Sequence, residues 1–253
     1  MPVLSQYSLE GKTAILYTAG GNDAPFLAQA IAEAGASVFT IARQRNTLDA
    51  VQEALGGIQG SRRGVVATLD SGDAVAGALA EFDLLHNQVD ILVNDSRSMF
   101  ARKATEIEQS EWDAVQSRNV RATFLLSQAV GTRMIAAGYG RVVNIISGLA
   151  ERGMVNGLAF SVSQAGLLAL TRSLAVEWGP HNVRVNAIGT GWSIAEDIPV
   201  EVQREEQLVR YIPQRRKGHP RDVGPLLVYL CSEACDYTTG QPVYVDGGLN
   251  AHP

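Results

Sequence analysis

A chain of 253 residues, 46% hydrophobic and 19% charged, has the make-up of an ordinary globular protein with enough apolar material for a full core. The formal net charge of −5 offers no basic field to nucleic acid, and no run of about 18 consecutive apolar residues is read that would span a membrane. Residues 1–12 carry neither a basic nor an apolar stretch, so no signal peptide is expected and a cytoplasmic location is.

Strand-like and helix-like segments alternate along the chain. Residues 13–17 form a short apolar run leading into the turn Ala19-Gly20-Gly21-Asn22-Asp23. Helical spacing follows over 24–34 and stops at Gly35. A second strand is expected over 37–41, a helix over 47–55 ending at Gly56-Gly57, a third strand over 64–69, a helix over 75–85 and a buried fourth strand over 90–94. One long helix is expected over 111–137, a fifth strand over 141–146, and a second long helix over 157–178 ending at Gly179-Pro180. Strand 183–187, helix 220–231 and strand 241–245 complete the order, closing on Asp246-Gly247-Gly248. Such alternation predicts a single α/β domain over 1–253, doubly wound and Rossmann-like, with a seven-stranded parallel sheet flanked by helices. The cluster Arg215, Arg216, Lys217 and Arg221 reads as a solvated loop. Cys231 and Cys235, four apart and without a His, Asp or Glu grouping, read as free thiols in a reducing compartment, and no metal site is expected.

Five segments carry a family resemblance: Asp90-Ile91-Leu92-Val93-Asn94, Asn119-Val120-Arg121, Gly140-Arg141-Val142-Val143-Asn144, Val183-Arg184-Val185-Asn186-Ala187 and Val245-Asp246-Gly247-Gly248. Together they resemble the short-chain dehydrogenase/reductase family, from about Leu9 to Leu249. In active members a Tyr and a Lys, four residues apart, transfer the proton and hold the nicotinamide ribose, with a Ser and an Asn in support. The resemblance places Ser147 and Asn119 at the Ser and Asn positions, but Phe160 at the Tyr and Gln164 at the Lys. Phe160 has no ionisable group, and general acid/base catalysis is typically worth ~10²–10⁴ in rate. Gln164 is neutral and cannot depress a neighbour's pKa by charge. Ser147 then reads as a strand-end residue, and Asn119 as one bonding local backbone.

The family's glycine-rich turn, which lets backbone approach the cofactor's pyrophosphate, is also altered. Thr18, Asn22 and Ala24 stand at its three glycine positions, Asn22 being the one able to adopt a positive φ. Asp23 puts a carboxylate at the start of the following helix, where it reads as a capping residue, and Pro25 removes an N–H there. Arg97 stands at a Gly position after the fourth strand and is expected to pair with Asp23 and fill the groove, while Thr190-Gly191 replaces the family's Pro-Gly. Arg43 and Asp70 read as inherited remnants of the adenosine side. The resemblance thus implies a chain that binds no cofactor, so that Phe160→Tyr with Gln164→Lys recovers no turnover.

The function expected is that of a catalytically inactive subunit, stabilising a hetero-oligomeric NAD(P)-dependent dehydrogenase beside an active paralogue, as a heterotetramer. The pattern of loss is similar to that of an inactive subunit in a hydroxyacyl-CoA dehydrogenase of benzylsuccinate breakdown. The two long helices are expected to associate, with Leu167, Leu168, Leu170, Leu174 and Val176 offering apolar surface, and the chain is also able to self-associate through them. The alternative is a repurposed non-redox enzyme, a lyase or dehalogenase, drawing an acid or base from Glu196, Asp197, Glu201, Glu205 or Glu206.

Overall fold

The computed structural model describes residues 2–58 and 63–251. Seven strands, β1 (Thr13–Thr18), β2 (Ser37–Ala42), β3 (Arg63–Val66), β4 (Ile91–Asp95), β5 (Gly140–Ser147), β6 (Val183–Thr190) and β7 (Pro242–Val245), form one sheet in the order β3-β2-β1-β4-β5-β6-β7. Every pairing is parallel. Strands β1, β4, β5 and β6 are buried along nearly their whole length, as a parallel sheet covered on both faces requires. Close strand packing is visible at Gly64, where a Cβ would stand 2.3 Å from the Thr40 carbonyl oxygen, so β3 can lie against β2 only with glycine there.

Helices α1 (Ala24–Glu33), α2 (Arg45–Ala54) and α8 (Gly224–Cys231) contribute to one core layer. Helices α3 (Gly72–Asp83), α5 (Ala122–Ala137) and α6 (Leu158–Trp178) contribute to the other, with α4 (Gln109–Gln116) preceding α5 and the single turn α7 (Val200–Gln203) lying after β6. The chain runs outward in one direction from β1 to β3 and returns to place β4 on the other side of β1. Ligands in such sheets bind at that reversal, beside the carboxyl ends of the strands. Thr18, Asp95, Ser147 and Thr190 are the last residues of β1, β4, β5 and β6, with Thr18 in register with Asp95 and Ser147 with Thr190.

The sheet and its helices follow the sequence reading with shifts of up to three residues at several ends, β6 for one running on to Thr190 where 183–187 was expected. The helix expected over 111–137 is interrupted by a π-helical turn, Ser117–Arg121, between α4 and α5. Such bulges recur at functional sites, and this one buries Asn119. The strand expected over 64–69 ends at Val66, and the helix expected over 220–231 begins as a 3₁₀ turn, Pro220–Val223. Helix α6 with its C-terminal turn, Leu158–His181, is the one helix among the described residues long and apolar enough to cross a membrane. Here it packs on the sheet through Phe160, Gln164, Leu167, Leu168, Thr171 and Ala175. Leu167 and Leu168, offered above for an interface, are therefore core residues, Leu170 and Leu174 are half-buried, and Val176 is 82% exposed.

Candidate functional site

At the carboxyl ends of the strands lies a cleft of about 510 Å³, whose lining includes Gly21, Asp23, Arg97, Ser147, Phe160 and Thr190. The β1–α1 turn forms one end. Its tight geometry is supplied by Gly20 and Gly21, at φ +121° and +130°, and not by Asn22, which stays outside the left-handed region. A Cβ on Gly21 would meet nothing within 4 Å, so the backbone there faces open space. Thr18 is buried and its Oγ1 accepts from the Gly20 N–H at 3.2 Å, closing the turn from the strand side. The positive-φ positions lie between residues 18 and 22, where the motif's first two glycines were placed, which is why a reading position by position missed them.

Asp23 occupies the residue before α1, but its backbone is already helical and its carboxylate caps no N–H of the helix. It goes instead to Arg97. The Arg97 guanidinium donates through Nη2 to Asp23 Oδ2, through Nε to Asp95 Oδ1 and through Nη1 to Thr190 Oγ1, each at 2.7 Å. One side chain thus ties the α1 turn to the ends of β4 and β6. The Asp23–Arg97 pair forms as expected, but it lines the wall of the cleft and does not fill it.

Two carboxylates share this one cation, and Asp95 Oδ2 is buried with no hydrogen-bond partner. Burial pushes the Asp95 carboxyl above its ordinary range, against the pull of Arg97, and the Asp23 charge adds to the rise. Burial alone lowers the Arg97 guanidinium, but Asp95 and Asp23 outweigh it and hold the group well above its usual value. The folded chain therefore holds the Asp95 proton more tightly than the unfolded chain, whose carboxyl titrates near ~3.9. Asp95's contribution to stability is complete below that value and is lost as pH rises through the raised one. Asp95→Asn keeps an acceptor for Arg97 and removes the titration. Its melting temperature relative to the wild type is expected to improve as pH rises above the unfolded value of ~3.9; a difference independent of pH across thermal melts would show that Asp95 does not titrate in this way.

The other end of the cleft holds the positions that the resemblance reads as catalytic. Phe160 is 1% exposed, a core residue that also lines the cleft. Gln164 is fully buried and accepts through Oε1 from the Ser147 backbone N–H at 2.9 Å, while its Nε2 donates to Ser163 Oγ at 3.3 Å. The Ser163 hydroxyl donates to the Phe160 carbonyl at 2.6 Å. Asn119, expected to serve local backbone, reaches across the fold: its Nδ2 donates to Ser163 Oγ at 2.8 Å and to the Ser98 carbonyl at 3.2 Å, and its Oδ1 accepts from the Ser98 N–H at 3.0 Å. Ser147 Oγ accepts from the Leu149 N–H at 3.2 Å. This set joins β5, α6, the π-turn and the loop after β4 through neutral groups alone. It contains no member that takes up or releases a proton near neutral pH.

The remaining candidates are scattered. Half-buried Arg43 follows β2; burial pushes the nearby Tyr17 hydroxyl up to about 12 against the pull of the Arg43 charge. Asp70 is exposed, and Ala24 is buried in the core beneath α1. None of Glu196, Asp197, Glu201, Glu205 and Glu206 lines the cleft, and Glu206 instead pairs with Lys217 at 2.7 Å. Cys231 and Cys235 are free and buried, burial raises both thiols, and no metal-binding cluster occurs among the described residues. Asp95, Ser98, Ser163 and the Thr190 hydroxyl are functional neighbours that the sequence reading gave no role. The clustering of polar residues after an apolar strand, Asn94 to Ser98, hinted at Asp95 and Ser98, and nothing local marked Ser163 or the Thr190 hydroxyl.

With this geometry in hand, comparison with known proteins is informative. A family model described as enoyl-(acyl carrier protein) reductase matches residues 24–250. The 2-dehydro-3-deoxy-D-gluconate 5-dehydrogenase of Escherichia coli (strain K12) is 32% identical, covering 97% of this chain and 98% of that protein. The enzyme of the same name from Bacillus subtilis (strain 168) is 33% identical, covering 96% of each. A solved structure from Beutenbergia cavernae, assigned as an NAD(P)-dependent gluconate 5-dehydrogenase and holding NADP at low occupancy, is 34% identical with a TM-score of 0.86 over 98% of this chain and all of that one. The expectation that this chain binds no cofactor is corrected by that structure: so similar a chain carries the dinucleotide. The local reason agrees, since the Gly20–Gly21 turn is open to the cleft and Arg97 supplies positive charge beside it. These residues fit a dinucleotide, where the motif alone suggested exclusion.

Proposed function

This chain belongs to the short-chain dehydrogenase/reductase family, and we propose that it is a redox-silent member: a subunit that keeps the NAD(P) groove, lacks the proton relay, and serves beside an active paralogue in a hetero-oligomeric dehydrogenase. The observation that carries the reading is the neutral network around Phe160 and Gln164. A nicotinamide dinucleotide accepts the hydride in oxidation, or supplies it in reduction, in this family. Here Gly20, Gly21, the first turn of α1, Arg97 and, on the adenosine side, Arg43 are the residues that would hold it. Ser147 can still orient a substrate oxygen through its hydroxyl hydrogen. Neither Phe160 nor Gln164 can pass a proton to that oxygen, and the general acid/base share of the rate, ~10²–10⁴, is missing.

The assembly's substrate is then a secondary alcohol, a hydroxyacyl thioester among them, oxidised at the paralogue's site, or the corresponding ketone, reduced there. Half-exposed apolar residues on α5 and α6, with Val176, suit these helices to pairing between subunits. The reading as a repurposed lyase or dehalogenase is weakened because its acids lie away from the cleft. Native mass spectrometry of the complex drawn from its own cells, with NADPH binding and turnover measured on the isolated chain, tests the proposal. Expected are a fixed stoichiometry with a second chain carrying the Tyr and Lys, and nucleotide binding without turnover by this chain alone. A homo-oligomer that oxidises or reduces substrate overturns it.

A further inference from the structure

The ion pair on the cleft wall has two unlike halves. Arg97 Nε meets Asp95, a carboxylate 1% exposed that does not line the cleft, whereas Nη2 meets Asp23, and both Arg97 and Asp23 are 15% exposed and line it. The inner bond is an anchor. The outer bond lies at the open surface. Of the five N–H donors of a guanidinium, the three hydrogen bonds to Asp23, Asp95 and Thr190 leave two uncommitted.

Asp23 itself sits where the unpaired N–H groups and the dipole of a ten-residue helix favour an anion, yet it caps none of them. Its charge would repel any phosphate arriving there unless Arg97 turned from one to the other. Resting on the reading that the groove keeps a dinucleotide, we propose that Arg97 is the residue that recognises the pyrophosphate, with Asp23 as an internal anion that the phosphate replaces. Arg97 keeps its bond to Asp95, releases Asp23, and donates its terminal N–H groups to phosphate oxygens, a pairing for which the planar guanidinium is suited. The β4 end thereby supplies the phosphate recognition that the glycine turn supplies in relatives of the usual pattern. No covalent step is involved.

The two partners have opposite predicted effects. Isothermal titration of the full chain with NADPH is expected to show Asp23→Asn tightening binding about fivefold or more, because the competitor has lost its charge. Arg97→Lys, keeping a charge but not the fork, is expected to weaken binding several-fold, and Arg97→Met about tenfold or more. Circular dichroism establishes that each variant is folded; should Arg97→Met not fold, Asp23→Asn and Arg97→Lys carry the test. Weaker binding by Asp23→Asn, or unchanged binding by the Arg97 variants, removes the assignment of Arg97 while leaving nucleotide retention standing. No binding of millimolar NADPH by wild type and Asp23→Asn alike removes both.

Discussion

Phe160→Tyr combined with Gln164→Lys is expected to give NADP-linked turnover ~10²–10⁴ above the wild type, the range that general acid/base catalysis contributes. The new hydroxyl enters on a residue that lines the cleft together with Ser147, whose Oγ has a hydrogen to give. The new ammonium replaces an amide beside Ser163, whose oxygen can accept from it, and its charge lowers the Tyr pKa. Neither substitution works alone: a Tyr at 160 without the cation keeps its ordinary high pKa, and a Lys at 164 without the phenol has nothing to activate. The motif reading gave the opposite expectation for the double variant, on the ground that cofactor is excluded. The NADP-bound relative removes that ground. The measurement is absorbance at 340 nm with 2-dehydro-3-deoxy-D-gluconate and gluconate, the substrates named for the relatives, as probes. A double variant that is folded, binds NADPH and remains silent would mean that more than the acid/base pair has been lost.

Arg97→Met is expected to destabilise the chain by about 3–5 kcal/mol at neutral pH, the usual cost of removing one partner from a buried charge group. Methionine fills the stem of the arginine but takes from buried Asp95 its charged side-chain donor, leaves Asp23 unpaired at the α1 turn and removes the donor to Thr190 Oγ1. In a chain of 253 residues this corresponds to a loss of about 10 °C in melting temperature. Two checks separate charge from packing. Acidification should restore part of the loss, because a protonated Asp95 tolerates the missing cation. Adding Asp95→Asn to Arg97→Met should restore most of it, since the two residues are in contact and their effects do not add. A loss unaffected by pH and by the second substitution would assign the effect to packing alone. The stability cost and the predicted nucleotide-binding role belong to different halves of one side chain, the anchor at Asp95 and the arm at Asp23.

Much of this molecule was legible in its residues. Alternating apolar periods specify strands and helices one at a time, and seven such strands interleaved with helices leave a parallel sheet as the arrangement that buries them. The absence of an ionisable group at Phe160 and of a charge at Gln164 is a chemical fact that no folding changes. What the sequence left open concerns pairs. The Asp23–Arg97 pair was foreseen, but the bond from Arg97 to Thr190, across 93 residues, and the one to Asp95 were not, because strand ends distant in the chain become neighbours at one edge of the sheet. Asn119 looked like a residue serving its own helix until a π-turn directed it to Ser98 and Ser163, 21 and 44 residues away. The openness of the cleft likewise had no local signature. Substituted glycines predicted a closed groove, but the turn drew its conformation from Gly20 and Gly21 instead, and the space beside them is set by where four strands end. Local periodicity and residue chemistry are properties of short segments, readable without coordinates. Charge pairing and cavity shape are properties of distances between segments, which only the tertiary structure decides.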